Sequence, residues 1–182
     1  QNYFSGNRAG GANTTGAFNY FSGYLAGEKN TTGSYNYFSG LQAGNANTIG
    51  AYNTFSGALA GNGNTTGSYN TATGYFALSA DSTGVHNTAF GYFALVNNSA
   101  SYNTAYGSQS ARSNTTGNYN TSIGFASLYS NQTGSHNTAL GNGSLYTNTG
   151  NNNTAVGYGT LASNTTAGYN VAIGDSVLFK QN

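Results

Sequence analysis

The sequence has no cysteine, proline, methionine or tryptophan, and its 182 residues include only four Lys or Arg and three Asp or Glu. Each absence excludes something. Without Cys there is no disulfide framework and no thiolate metal site. A net charge of +1 gives no field that would hold nucleic acid or an anionic membrane. No apolar run approaches the ~20 residues of a membrane-spanning helix, and no secretory signal is recognisable. Ordinary domains are about a quarter charged, so solubility must come from Asn, Thr, Ser and Gly. Disorder usually joins low hydrophobicity to high net charge, which does not describe a nearly neutral chain that is 14% aromatic. The chain begins at Gln1 rather than Met, which suggests a processed or excised piece.

What the chain has is repetition. Asn-Thr-Ala-x-Gly opens a unit, a small residue and Leu follow, then Asn-Thr-Thr, then an aromatic, as in Asn153–Tyr169. The opening Asn recurs at Asn2, Asn19, Asn36, Asn53, Asn70, Asn87, Asn103, Asn120, Asn137, Asn153 and Asn170, a spacing of 17 eight times and 16 twice. Such self-similarity decides the fold before any local reading. A 17-residue unit is too short for helix pairs, and Gly, Asn, Thr, Ser and Tyr are poor helix formers. With unit positions numbered from the opening Asn, positions 1–5 read as a strand, positions 7 to 10 as a second strand, and Asn-Thr-Thr-Gly as a turn. The expected fold is all-β: residues 1–182 as a single parallel β-solenoid of about eleven coils, stacked about 4.8 Å apart into a rod of roughly 50 Å.

Stacking like on like accounts for the repeated residues. Asn at position 1, in all eleven units, forms a ladder of amides, and position 12, Asn nine times and Asp81 once, reads as a second ladder or an Asx turn. Gly at position 5, from Gly6 to Gly174, implies positive φ or close backbone approach. Position 17 carries Phe18, Tyr35, Tyr52, Tyr69, His86, Tyr102, Tyr119, His136, Asn152 and Tyr169, an aromatic stack along the rod. The 16-residue units, Asn87–Tyr102 and Asn137–Asn152, are both shortened in the Asn-Thr-Thr-Gly piece. That piece should therefore face solvent, because a one-residue slip in a strand inverts every side chain.

The packing mode changes near residue 70. Residues 1–69 carry Asn-Tyr-Phe-Ser-Gly type units with Phe at position 3 and Gly at 9, such as Phe4 with Gly10 and Phe55 with Gly61. Residues 70–182 carry the Asn-Thr-Ala-x-Gly type, with bulk at positions 4 and 9, such as Phe90 with Leu95 and Ile173 with Leu178. Either positions 3 and 9 share one core at conserved volume, or positions 4 and 9 build a second apolar face that meets a partner. The second is the expectation here, because 4 and 9 enlarge together. Arg8, Glu28, Lys29, Asp81, Arg112, Asp175 and Lys180 all fall in variable parts of the unit and are expected at solvated corners.

The units Asn170–Gly174 (NVAIG), Asn153–Gly157 (NTAVG) and Asn120–Gly124 (NTSIG) resemble the head repeats of YadA-like trimeric autotransporter adhesins. The longer unit is similar to Asn-Thr-Ala-x-Gly repeats of large bacterial surface proteins and phage tail fibres. The resemblance covers almost the whole chain and is closest from residue 70 onward. It implies a left-handed parallel β-roll, three chains side by side, and display on a cell or virion surface for attachment. The 17-residue unit is longer than the adhesin repeat, and neither a coiled-coil stalk nor an anchor barrel is recognisable. A subunit polymerising end to end through its open strand edges is the rival assembly.

Chemistry is sparse. Glu28, Asp81 and Asp175 fall in the second, fifth and eleventh coils, at least about 14 Å apart along the rod, too far for shared acid–base work. Asp81, Ser82 and His86 share a coil, but they read as occupants of the Asn and aromatic rows. No catalytic, cofactor-binding or metal site is expected. Tyr24, Tyr75, Phe76, Tyr92, Phe93, Phe125 and Tyr158, at positions 6 and 7, are the candidates for contact with another chain or, by stacking, with surface glycans. The Thr column at position 2, Thr54 to Thr154, offers a weaker ice-binding reading for want of a second column beside it. Sequons at Asn13, Asn30, Asn64, Asn114 and Asn164 would be glycan acceptors if their turns face outward.

Overall fold

The computed structural model describes residues 1–178. Eleven strands of three residues, one per repeat, are β1 (Tyr3–Ser5), β2 (Tyr20–Ser22), β3 (Tyr37–Ser39), β4 (Thr54–Ser56), β5 (Thr71–Thr73), β6 (Thr88–Phe90), β7 (Thr104–Tyr106), β8 (Thr121–Ile123), β9 (Thr138–Leu140), β10 (Thr154–Val156) and β11 (Val171–Ile173). They form one parallel sheet in chain order. Each unit position lies on the same position of the next unit: Tyr37 is opposite Thr54, and Thr54 is opposite Thr71. The chain is the expected parallel β-solenoid. No helix of the described residues is long and apolar enough to cross a membrane.

The second strand expected at positions 7 to 10 is absent. That wall is a run of turns. Positions 7 and 9 take positive φ even with ordinary side chains, such as Leu25 at 58°, Phe76 at 55° and Leu78 at 52°. The backbone therefore coils instead of extending. Within a rung, Ala26 N–H donates to Gly23 O at 3.3 Å and Asn30 N–H to Gly27 O at 3.0 Å. The alternate donors point along the rod: Gln42 N–H reaches Tyr24 O at 2.8 Å and Gly44 N–H reaches Ala60 O at 3.0 Å. The wall is thus bonded rung to rung without a pleat.

The same coiling settles the core. Position 9 points inward and meets position 3, so one core runs the length of the rod. A Cβ placed on Gly27 would lie 2.6 Å from the ring of Phe21, showing that Phe and Gly are complementary. From β5 onward the pair becomes Ala with Leu, save Ala105 with Ala111 and Ser122 with Leu128, and Leu78, Leu95, Leu128, Leu145 and Leu161 are fully buried, as are Phe21, Phe38 and Phe55 before them. The expectation that positions 4 and 9 form a second face is overturned: position 9 fills the core beside position 3, and position 4 faces outward alone.

The two short units keep register. Thr88 pairs with Thr104 and Thr138 with Thr154. The lost residue comes out of the turn after position 12: Asn98 Nδ2 reaches the carbonyl of Ala100, two residues on, where Asn30 Nδ2 reaches that of Gly33, three residues on. Position 5 needs glycine twice over. Its φ is 123–138° across the described rungs, and a Cβ on Gly40 would fall 2.5 Å from Gly57 O of the next rung.

Candidate functional site

The two asparagine columns are built differently. At position 1, Asn53 Nδ2 donates to Gly67 O of its own rung at 2.8 Å, while Asn53 Oδ1 accepts the backbone N–H of Asn70 at 2.9 Å. One amide both braces a rung and bonds it to the next. At position 12 the amides bond each other: Asn30 Nδ2 to Asn13 Oδ1 at 2.7 Å, Asn47 to Asn30 at 2.7 Å and Asn64 to Asn47 at 2.8 Å. The buried columns supply what a thin apolar core cannot, since every buried polar group must find a partner.

The charged residues sit less uniformly than expected. Arg8 and Glu28 form an ion pair between adjacent rungs, and Asn45 Nδ2 also donates to Glu28 at 3.1 Å. Arg112 lies over the rings of Phe93 and Tyr129, at 5.7 and 5.5 Å from their centroids, and donates to Tyr129 Oη at 2.9 Å. Asp175 is exposed, and Lys180 lies outside the described residues. Asp81 is not at a solvated corner; its exposure is 0%. Its Oδ1 accepts Gly84 N–H at 2.7 Å, and its Oδ2 accepts Asn87 Nδ2 at 3.0 Å and Asn98 Nδ2 at 3.2 Å. Burial pushes its pKa from 3.8 up to about 6, against the opposing effect of those hydrogen bonds. His86 stacks between Tyr69 and Tyr102 at 4.8 and 5.1 Å, so it fills the aromatic row. Among the described residues no three His, Cys, Asp or Glu side chains converge as a metal site would require.

Of the seven aromatic candidates, the structure brings four together. Tyr75 and Tyr92 stack at 5.8 Å, Phe76 and Phe93 at 5.2 Å, and Tyr75 and Tyr92 meet Phe76 and Phe93 edge-on at 4.6 and 4.5 Å. Phe93 and Tyr92 then border a small cleft with Gln109, Arg112 and Tyr129. Tyr24, Phe125 and Tyr158 are exposed, each on a separate stretch of the rod. Tyr158 lines a cleft of about 260 Å³ together with Tyr146, a residue the sequence did not single out, and Gly143 and Gly159.

The sequence offered the Thr column at position 2 and the bulk at position 4 as separate surfaces, and strand alternation puts them side by side on one outward face. Positions 2 and 4 both face out around a buried position 3. Tyr3, Tyr20 and Tyr37 stack at 4.8 Å in the first rungs. From β6 to β10, Thr at position 2 runs beside an apolar position 4, including Phe90 at 43% exposure, Tyr106 at 54% and Leu140 at 44%. No charged residue lies in either column. A Thr pair flanks the strand centre only at β5, Thr71 with Thr73, so the array remains a single column of Thr.

The sequon asparagines do not project outward. Asn30, Asn64, Asn114 and Asn164 are fully buried, and in each the Nδ2 that would carry a glycan donates a hydrogen bond within the position-12 column. Asn13, in the first rung, is half-buried and donates to Gly16 O at 3.0 Å. The solvent-facing part of the turn is Thr at position 14, as at Thr32 and Thr66.

No protein-family model, no curated protein and no solved structure matches this chain.

Proposed function

We infer that the protein is a structural repeat module, a segment of an extracellular fibre or adhesin on a cell or virion surface that associates with copies of itself. The observation that carries this reading is the uncharged outward strand face, on which Phe90, Tyr106, Ile123, Leu140 and Ile173 stand exposed at regular rung spacing. Exposed apolar columns of this regularity mark interaction surfaces. A second copy presents the same spacing, so rungs match rungs over any length of overlap. The resemblance of the Asn-Thr-Ala-x-Gly units to adhesin-head and tail-fibre repeats supports the same assignment, with a trimer or an end-to-end polymer as the assembled form.

The test is the state of assembly. Sedimentation and negative-stain microscopy of the wild type should give discrete oligomers or filaments. Ile123→Lys with Leu140→Lys should abolish side-by-side association with an unchanged circular dichroism spectrum, since both side chains point to solvent. A monodisperse wild-type monomer at high concentration would overturn the assignment.

One observation favours a second reading, in which the module recognises glycans. The Tyr75, Phe76, Tyr92 and Phe93 cluster offers ring faces beside Gln109 and Arg112, the combination of stacking and hydrogen bonding that sugars require. Loss of glycan-array binding in Tyr92→Ala, with assembly unchanged, would favour it over the scaffold.

A further inference from the structure

The position-12 column is interrupted twice among the described residues: Asn148 Nδ2 bonds only Gly150 O while Asn131 Oδ1 takes Gly134 N–H instead, and the other break, at Asp81, leaves a buried group unpaired. Asn30, Asn47 and Asn64 each donate an Nδ2 hydrogen to the Oδ1 of the rung before, but the rung after Asn64 carries Asp81, which has no amide nitrogen. Asn64 Oδ1 is consequently buried with no hydrogen-bond partner. An ionised Asp81 cannot supply one, since a carboxylate only accepts. Both its oxygens already take hydrogens from Gly84, Asn87 and Asn98, and its negative charge is fully removed from solvent.

We propose that Asp81 is a proton-operated lock: on taking up a proton it donates its O–H to Asn64 Oδ1 and restores the rung-to-rung bond that every neighbouring Asn makes. The proton comes from solvent, and no other bond is made or broken. The lock sits where the rod is already discontinuous, because the rung of Asn64 is the last with a Phe and Gly core and that of Asp81 the first with Ala and Leu. The ionisable side chains of the three rungs concerned are Tyr69, Tyr75, His86, Tyr92 and Tyr102, all outward and exposed.

The sign follows from the raised pKa. The folded state binds the proton more tightly than the unfolded chain, so the added stability is full below the ordinary value of 3.8 and is lost as pH rises through about 6. That displacement corresponds to roughly a hundredfold change in the folding equilibrium. Denaturant unfolding from pH 4 to pH 8 should show the wild type losing about that factor, while Asp81→Asn stays flat and exceeds the wild type at pH 8. Glu28→Gln and Asp175→Asn should retain the wild-type slope. A flat wild type, or a slope that survives in Asp81→Asn, overturns the proposal. Carbon-13 NMR of the wild type tests the partner without any variant. The Asn64 side-chain carbonyl should shift with the same midpoint as the Asp81 carboxyl, and an Asn64 signal indifferent to that titration overturns the lock.

Discussion

Phe55 and Gly61 occupy one volume from opposite walls of the same rung. The ring of Phe55 lies where the side chain of residue 61 would otherwise begin, and one rung later Ala72 and Leu78 divide the same space the other way. Phe55→Ala alone should destabilise by about 3–5 kcal/mol through the cavity it opens. Gly61→Leu alone should also destabilise, by overpacking. The double variant should recover most of the loss, because it reproduces the Ala and Leu arrangement at a backbone position where Leu78 accepts positive φ. A double-mutant cycle by urea unfolding reads the coupling directly, and additive losses would contradict a shared core.

Asn53→Ala should cost about 1–3 kcal/mol, since it leaves Asn70 N–H buried without its partner, while Gly67 O keeps Asn64 Nδ2 as its remaining donor. Thr54→Ala, one residue on but outward, should fall within about 0.5 kcal/mol of the wild type. Thermal melts of the two variants side by side separate the column from the exposed face.

Tyr52 holds φ at 59° while stacking on Tyr35 and Tyr69 at 4.9 and 5.0 Å. The left-handed conformation costs about 1–2 kcal/mol for a residue with a Cβ, and the two stacks offset it at about 0.5–1.5 kcal/mol each. Removing the ring but keeping the Cβ leaves the cost without the compensation. Tyr52→Ala should therefore be less stable than Tyr52→Gly by about 1 kcal/mol, the reverse of the order in regular structure, and calorimetric melting temperatures will show the order.

Deleting Thr66 should be tolerated, with the dichroism spectrum unchanged and a modest fall in melting point. The chain already contains two rungs shortened at that place, and both hold register. Deleting Ala72 should abolish cooperative melting, because it turns the buried face of β5 outward.

The rungs and their register were legible because Asn and Gly recur at positions that chemistry restricts. Asn70 shows this at the ladder and Gly40 at the corner. The wall from position 6 to position 11 was not legible. Leu25, Phe76 and Leu78 take positive φ, a conformation such residues rarely announce, so the segment read as a strand and the direction of position 9 was lost. Asp81 misled for a related reason. A lone carboxylate usually faces water, but here eight neighbouring rungs with buried Asn determine where that side chain goes. The outward columns were within reach of strand alternation, which places Phe90 and Tyr106 opposite in direction to Ala89 and Ala105.

The in-register parallel stacking has a mechanical consequence. Each turn is held chiefly by the turn before and the turn after, so a load on the chain ends is borne by one boundary at a time and not by the whole assembly at once. Pulled in a force spectrometer, the molecule should unspool turn by turn in a sawtooth. Each event would release about 60 Å of contour from a 17-residue repeat, so a tethered filament of such turns would lengthen under tension before it severed.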